Sequence, residues 1–274
     1  MLKDITLGQF FPGDSLLHKL DPRVKLILTT AYIILVFIAR GAAGFAVILA
    51  FTLAMIAISK IPAKIIVRGL KPLLFIIMFT AAINVFWTKG ENLLVRFGFI
   101  EIYFEGVLHA VLMVLRVVLL LLGSSVLLTY TTSPIALTDG LELLLSPLKK
   151  LRVPVHEFAM MMTIALRFIP TLIEETDKIM NAQKARGVDF SSGSIIQRAK
   201  ALIPILIPLF VSAFRRADEL AVAMECRCYR GGEGRTRMKV LKLSHLDFIA
   251  SAVFVLFCAS VVAANIFVPW LSVR

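Results

Sequence analysis

Two arginines near the ends of predicted helices are the side chains best suited to bind a partner. They are the central residues of two short triplets, Ala185-Arg186-Gly187 and Cys226-Arg227-Cys228, and they lie 41 residues apart. Each arginine falls in the last turn of its predicted helix, where the helix dipole favours a cation. Since the neighbouring side chains are small, each guanidinium is accessible for two parallel hydrogen bonds to one carboxylate.

The two triplets predict two similar cationic tips on one chain, which suits docking into two similar soluble partners. Two simpler explanations stay open. Arginine is common in the last turn of helices because it interacts with the free carbonyl groups there, and a basic cytosolic surface binds anionic lipid. Spacing alone does not choose among the three.

The composition places these helices in a membrane protein. Of 274 residues, 59% are hydrophobic and only 18% are charged, and the mean hydropathy is +0.88. The net charge of +12 could indicate nucleic-acid binding in a soluble protein. Here, however, the basic residues lie between or after long apolar runs, a pattern that indicates orientation in a lipid bilayer. We therefore expect no nucleic-acid partner.

The predicted fold is an all-α integral membrane protein with about five transmembrane helices. Four spans, near residues 26–39, 41–59, 72–88 and 106–130, form an N-terminal membrane part in residues 1–130, and the last lies in residues 247–274. The distribution of Lys and Arg among the loops predicts a cytoplasmic N-terminus and an external C-terminus.

Residues 131–246, between the fourth and fifth spans, contain more than half of the basic residues. We interpret them as cytosolic amphipathic helices. The first begins at Ser133-Pro134, the second runs from about Val155 to Gly187, and the third runs from about Ser194 to Tyr229. Pro147 and Pro154 bracket the break between the first two.

The alternative is that apolar stretches of this region, residues 158–173 and 201–214, cross the membrane. The second stretch has 14 residues, which as a helix cover about 21 Å of a roughly 30 Å apolar core. If it crossed alone, the basic residues that follow it would lie outside, against the charge rule.

No motif in the chain predicts catalysis or a cofactor. The GxxxxGK[ST] phosphate-binding loop is absent, His156-Glu157 lacks the second histidine of a zinc protease motif, and Cys226-x-Cys228 lacks a second cysteine pair. We expect no bound metal. Arg116, inside the fourth span, is expected to pair with Asn84 or with a backbone carbonyl group.

Four segments resemble one known family. They are LDPRVKL before the first span, TTSPIALTDGLELLLSPLKKLRVP after the fourth, and two segments that reach the arginine triplets, RFIPTLIEETDKIMNAQKARG and PLFVSAFRRADELAVAMECRCY. They are similar to the transmembrane T subunit of energy-coupling factor (ECF) transporters, the EcfT/CbiQ family. The resemblance extends over most of the chain.

The resemblance implies a role for both triplets. In that family, arginine triplets at the ends of two coupling helices insert into grooves of two ABC-type ATPases. These positions correspond to Ala185, Arg186 and Gly187 and to Cys226, Arg227 and Cys228. In the second triplet cysteines replace the commoner alanine or glycine, but the arginine is kept and both neighbours are small.

The resemblance further implies a coupling subunit of an importer in a prokaryotic cell membrane. Two ATPase subunits would bind and hydrolyse ATP with Mg²⁺, and this chain would be non-catalytic. It would pass their motion to an S component, a small membrane protein that captures a vitamin or other micronutrient. A face that suits contact with the S component contains Met160, Met161, Leu202, Leu206 and Phe210. For the methionines, ordinary packing against lipid or another helix is the open alternative.

Three other functions compete with this interpretation. A conventional ABC permease would form the substrate path itself, but it usually needs one docking tip per subunit rather than two. An intramembrane enzyme would need paired polar residues within the spans, and no acid pair or histidine cluster occurs there. A non-transport scaffold that recruits soluble partners would differ from a coupling subunit only in the ATPases it binds.

Overall fold

The computed structural model describes residues 10–39, 41–88, 92–97, 100–190, 194–231 and 240–267. The predicted all-α membrane fold is confirmed. The helices of these residues, in chain order, are α1 Pro22–Ile38, α2 Ala42–Ser59, α3 Ala63–Leu70, α4 Leu74–Trp87, α5 Phe104–Ser124, α6 Pro134–Leu145, α7 Val155–Ala185, α8 Ile195–Cys226 and α9 His245–Phe267. Two short strands, β1 Leu93–Phe97 and β2 Ile100–Tyr103, pair as an antiparallel hairpin between α4 and α5.

Six helical stretches among the described residues are long and apolar enough to cross a membrane, judged by length and composition alone. They are Ala42–Ser59, Ala63–Trp87, Phe104–Thr129, Val155–Ala185, Ile196–Cys226 and His245–Phe267. The fourth and fifth of these are α7 and α8, which have the lowest mean hydropathy of the six. The first predicted span, residues 26–39, lies largely in α1, which has 17 residues.

The third and fourth predicted spans each correspond to a helical stretch that consists of more than one segment. The third continues back to Ala63 because Pro72 lies in the first turn of a short 3₁₀ segment, Lys71–Leu73, that joins α3 to α4 without a break. The fourth continues from α5 through a π-helical turn, Ser125–Thr129. In the last predicted span, residues 268–274 lie outside the described part of the chain.

The chain divides into two compact units. The bundle unit consists of the described residues within 8–140 and 241–274. It contains α1–α5, the first part of α6 as far as Gly140, the β-hairpin and α9. The two-helix unit consists of the described residues between 141 and 240, and it contains the end of α6 with α7 and α8.

The core of the bundle unit lies where α1 and α2 each pack against α5 and α9. At its centre, the fully buried Tyr32 donates a hydrogen bond to the Leu119 carbonyl oxygen at 2.9 Å and lies 2.9 Å from Thr52 Oγ1. The ring packs against Gly123, where an added Cβ would be 2.2 Å from Tyr32 Cε1. Only glycine leaves room for this ring.

The intramembrane Arg116 caps the end of α1. Its Nη2 donates a hydrogen bond to the Ala39 carbonyl oxygen at 2.9 Å, and its guanidinium lies 5.3 Å from the centroid of the Phe45 ring. The expected pairing with a backbone carbonyl group is therefore confirmed, whereas Asn84 bonds to its own helix at the Thr80 oxygen. The hydrogen bond satisfies a carbonyl group that the end of a helix leaves unpaired.

The helices after the fourth span begin within one residue of the predicted positions, and α7 and α8 end two and three residues before the predicted Gly187 and Tyr229. Ser133 caps α6 by accepting a hydrogen bond from the Ala136 N–H, with Pro134 as the first helical residue. A 3₁₀ segment, Ser146–Leu151, then separates α6 from α7. Ser194 and Gln197 form a reciprocal capping box at the start of α8.

Candidate docking site at the ends of two helices

The C-terminal end of α7 is a Schellman motif built around Arg186. The N–H of Gly187 donates to the Lys184 oxygen at 3.0 Å, and the N–H of Val188 donates to the Gln183 oxygen at 3.1 Å. Gly187 has a φ of +87°, the left-handed conformation that this motif requires after the capping residue. Arg186 itself is that capping residue.

The C-terminal end of α8 repeats the same motif at equivalent positions. The N–H of Cys228 donates to the Glu225 oxygen at 2.8 Å, and the N–H of Tyr229 donates to the Met224 oxygen at 3.1 Å. Arg227 is the capping residue, and Cys228 takes the left-handed conformation with a φ of +56°. The two arginines thus have the same position relative to the same backbone motif.

Both arginine side chains are exposed, as are the four residues that flank them. Within the described ranges, neither guanidinium makes a hydrogen bond or an ion pair with the rest of the chain. Because each side chain lies at the negative end of a helix dipole yet keeps its donors free, a carboxylate-bearing partner can bind it through two hydrogen bonds.

An ion pair joins α7 and α8 at the same distance from both tips. Arg216 Nη2 lies 2.9 Å from Glu175 Oε2, and each of these residues precedes its tip arginine by 11 positions (186 − 175 and 227 − 216). At about 1.5 Å per residue, each tip therefore extends roughly 16 Å beyond the pair. The ion pair is therefore one contact between the two helices that lies at the same distance from both tips.

The cavity beside the ion pair gives the relative direction of the two helices. It has a volume of about 260 Å³ and is lined by α7 residues that precede Glu175, including Ile164 and Phe168, and by α8 residues that follow Arg216, including Leu220 and Met224. Since the part of α8 beyond the pair faces the part of α7 before it, the two tips lie on opposite sides of the crossing point. They can be separated by up to about 33 Å.

Comparison with known proteins identifies the family. Residues 13–238, which include both triplets, match the family described as CbiQ, cobalt transport protein. The chain is 58% identical to a Clostridium kluyveri protein named energy-coupling factor transporter transmembrane protein EcfT, and the match covers 96% of this chain and 98% of that relative. It is 49% identical to the Bacillus subtilis protein of the same name, over 88% of this chain and 91% of that relative. The chain belongs to the EcfT/CbiQ family. It is a multi-pass membrane component of an ECF transporter.

The EcfT/CbiQ family resemblance also suggested contact residues for an S component, and the structure shows where they lie. Leu202, Leu206 and Phe210 follow one another at intervals of four residues and are exposed, so they form one apolar stripe along α8. On α7, Met161 is exposed and Met160 is half-buried. These five residues therefore lie on two helices of the same unit.

Gly187 has a backbone role that the sequence analysis did not name. Within the described chain nothing lies within 4 Å of the position that a Cβ would take at Gly187, so packing inside the chain does not require a small residue there. Its positive φ is the requirement. The signal was present in the sequence, because glycine just after the last residue of a helix is the usual sign of this motif.

The residues set aside as metal ligands take other roles. Cys226 and Cys228 are exposed free thiols, and among the described residues no group of three or more His, Cys, Asp and Glu could hold a metal ion. His156 instead pairs with Glu142, with Nδ1 and Oε1 2.9 Å apart. This pair connects the end of α6 to the first turn of α7 across the 3₁₀ segment, and sequence reasoning missed it.

Proposed function

We propose that this chain is the coupling subunit of an ECF-type ABC importer. Arg186 and Arg227 bind two ABC-type ATPase subunits, one at each helix tip, and α7 and α8 pass the ATP-driven motion of these subunits to an S component. The S component binds the substrate, a vitamin or another micronutrient. ATP and Mg²⁺ are bound by the ATPases, and this chain performs no catalysis itself.

The observation that carries the proposal is the repetition of one backbone motif around two exposed arginines. A helix needs no arginine to form a Schellman motif, and neither guanidinium pairs within the described chain. An exposed cation fixed in the same way at two ends, on opposite sides of a crossing, is the geometry that two copies of one type of binding groove require.

The two helices have the mechanical properties that coupling requires. Their 31 and 32 residues correspond to lengths of about 46 and 48 Å. Both continue through internal prolines, Pro170 in α7 and Pro204 and Pro208 in α8, and the ion pair between Glu175 and Arg216 connects them. A displacement of either tip is therefore conducted along a continuous helix.

The proposal includes a topology. Residues 131–246 lie at the cytoplasmic face with the N-terminus on the same side, and α9 takes the chain to the outer side. A face of α7 and α8 contacts the S component, because these two helices carry the tips. It consists of the apolar stripe Leu202, Leu206 and Phe210 on α8 and of Met160 and Met161 on α7. Flexible methionine side chains adapt to surfaces of different shape.

The experiment is co-purification from the native membrane followed by mass spectrometry. Wild type is compared with Arg186→Glu, Arg227→Glu and the double variant. We expect the wild type to recover ATPase subunits and a small membrane protein, each single variant to lose part of the ATPases, and the double variant to lose nearly all of them. Charge reversal replaces attraction to a carboxylate by repulsion of a similar size.

The matched control is Arg198→Glu. Arg198 is an exposed arginine on α8, at the opposite end of the helix from Arg227, so this variant makes the same change of charge on the same element. It should keep both ATPases. Recovery of the ATPases with the double variant, or their loss with the control, contradicts docking through the two tips.

A further inference from the structure

The chain leaves the bundle unit beside Pro22 and returns to it beside the next residue, Arg23. It leaves the unit after Gly140 and returns at Leu241. At the exit, Gly140 packs so closely on Pro22 that an added Cβ would lie 2.9 Å from Pro22 Cβ. At the return, Arg23 Nη2 donates a hydrogen bond to the Leu241 carbonyl oxygen at 3.2 Å. Gly140 and Leu241, which are 101 positions apart in sequence (241 − 140), thus both contact the start of α1.

The side chain of Asp21 fixes this contact point. It accepts a hydrogen bond from the Arg23 N–H at 2.8 Å, which caps α1, and it binds the Arg23 guanidinium through both carboxylate oxygens, at 3.1 and 2.9 Å. Burial acts to raise the pKa of Asp21, but the hydrogen bonds and charge of Arg23 outweigh burial and hold that pKa below its usual value. The carboxylate therefore remains charged and keeps Arg23 directed at Leu241.

Two more buried charges hold the flanking segments to the start of α1. Lys25 Nζ donates to the Thr131 oxygen at 2.8 Å, three residues before α6 begins. Asp247, in the first turn of α9, accepts hydrogen bonds from the Asp21 N–H at 2.8 Å and from the Ser244 N–H at 2.7 Å. Lys25 and Asp247 are each only 2% exposed.

Stability alone does not explain this cluster. Apolar side chains of similar volume often stabilise a buried position as well as an ion pair does, since removing charges from water is costly. Buried charges with directed hydrogen bonds do something that apolar packing does not: they fix where a segment begins and which way it points. Here the segments that are fixed are those on both sides of residues 141–240.

We propose that Asp21, Arg23, Lys25 and Asp247 are positioning residues that form an anchor, which holds the bundle segments on both sides of residues 141–240 at the start of α1. This inference rests on the proposed coupling function, because it assigns the anchor to the transfer of force. When ATPases move the tips, the anchored segments carry that movement along the chain to α6 and α9 of the bundle unit. With the anchor loosened, the ends of residues 141–240 shift instead, and ATP is hydrolysed without transport.

The test measures substrate transported per ATP hydrolysed, using the full complex of this chain with its ATPases and S component in liposomes. The variants are Arg23→Gln, which removes the bond to Leu241, and Asp247→Asn, which weakens the bond to Asp21. We expect both complexes to keep their ATPases and to hydrolyse ATP, with the transport ratio lowered roughly 2- to 30-fold, the range that coupling mutations typically produce.

Tyr32→Phe is the matched control. It removes a buried hydrogen bond from the same unit, nine positions along α1 from Arg23 (32 − 23), and should leave the transport ratio at the wild-type value. Arg23 is the less buried target, with 25% of its side chain exposed, so Arg23→Gln remains informative if Asp247→Asn fails to assemble.

The outcomes separate this inference from the function on which it rests. Unchanged transport ratios in assembled Arg23→Gln and Asp247→Asn complexes overturn the anchor and leave the coupling function intact, as does an equal decrease with Tyr32→Phe. Failure of the wild type to recover any ATPase overturns both.

Discussion

Residues 187 and 228 both have a positive φ, so the structure predicts that replacing the glycine destabilises the cap of α7 and that introducing a glycine stabilises the cap of α8. At Gly187 the φ is +87° and nothing lies near the position of a Cβ, so Gly187→Ala introduces backbone strain and no clash. A non-glycine residue in the left-handed helical conformation costs about 1–2 kcal/mol. At Cys228 this cost is already present, because its φ is +56°. Cys228→Gly should therefore relieve strain, although the greater flexibility of glycine when unfolded offsets part of the gain, leaving about 0–1 kcal/mol.

Strain of this size is visible in both structure and binding. About 1.4 kcal/mol changes an equilibrium tenfold, so Gly187→Ala should speed amide exchange at Gly187 and Val188 by roughly 5- to 30-fold and weaken ATPase binding at that tip by a similar factor at most. Hydrogen exchange by mass spectrometry on the purified chain measures the first effect, and titration with the ATPases measures the second.

Cys228→Ala is the control for both substitutions, since alanine has the same φ requirement as cysteine and should leave exchange at the α8 cap unchanged. Exchange that is as slow in Gly187→Ala as in the wild type would refute the Schellman motif at α7. Faster exchange in Cys228→Gly would refute the strain assigned to Cys228.

Two further substitutions test contacts within single units. Gly123→Ala places a methyl group against the buried Tyr32 ring. Overpacking of this kind should destabilise the bundle by about 1–3 kcal/mol, which is measured as a lower Tm in detergent. Adding Tyr32→Leu to this variant should recover part of the lost stability. Glu175→Gln removes the charge that pairs with Arg216. Because the pair is partly exposed, its loss should lower the free energy of unfolding by no more than about 1 kcal/mol. A double-mutant cycle with Arg216→Gln measures the coupling energy, and a value of several kcal/mol would contradict this.

Local signals in the sequence predicted the helices that carry the docking site. A serine followed by proline marked the start of α6, and Ser194 with Gln197 supplied the capping box of α8. Gly187 marked the end of α7. These features act over three or four residues, so a reader of the sequence can recognise them without knowing the fold.

Contacts between distant segments could not be predicted in the same way. The hydrogen bond from Lys25 to Thr131 spans 106 positions, and the one from Asp21 to Asp247 spans 226. In the sequence, Lys25 is one of several basic residues before a span and fits a charge at the membrane interface. Only the packing of α1 against α5 and α9 shows that it is buried and what it binds.

The ion pair between α7 and α8 explains why two tips on unlike helices are arranged alike. Glu175 and Arg216 are 41 positions apart, the same interval that separates Arg186 from Arg227. The two helices therefore meet at equivalent positions, and a crossing at equivalent positions leaves equal lengths beyond it on both sides. At that crossing, Glu175 of α7 faces Arg216 of α8, so the charges at equivalent positions attract rather than repel each other. The tips extend equally beyond the crossing because the crossing, like the tips, lies at equivalent positions of the two helices.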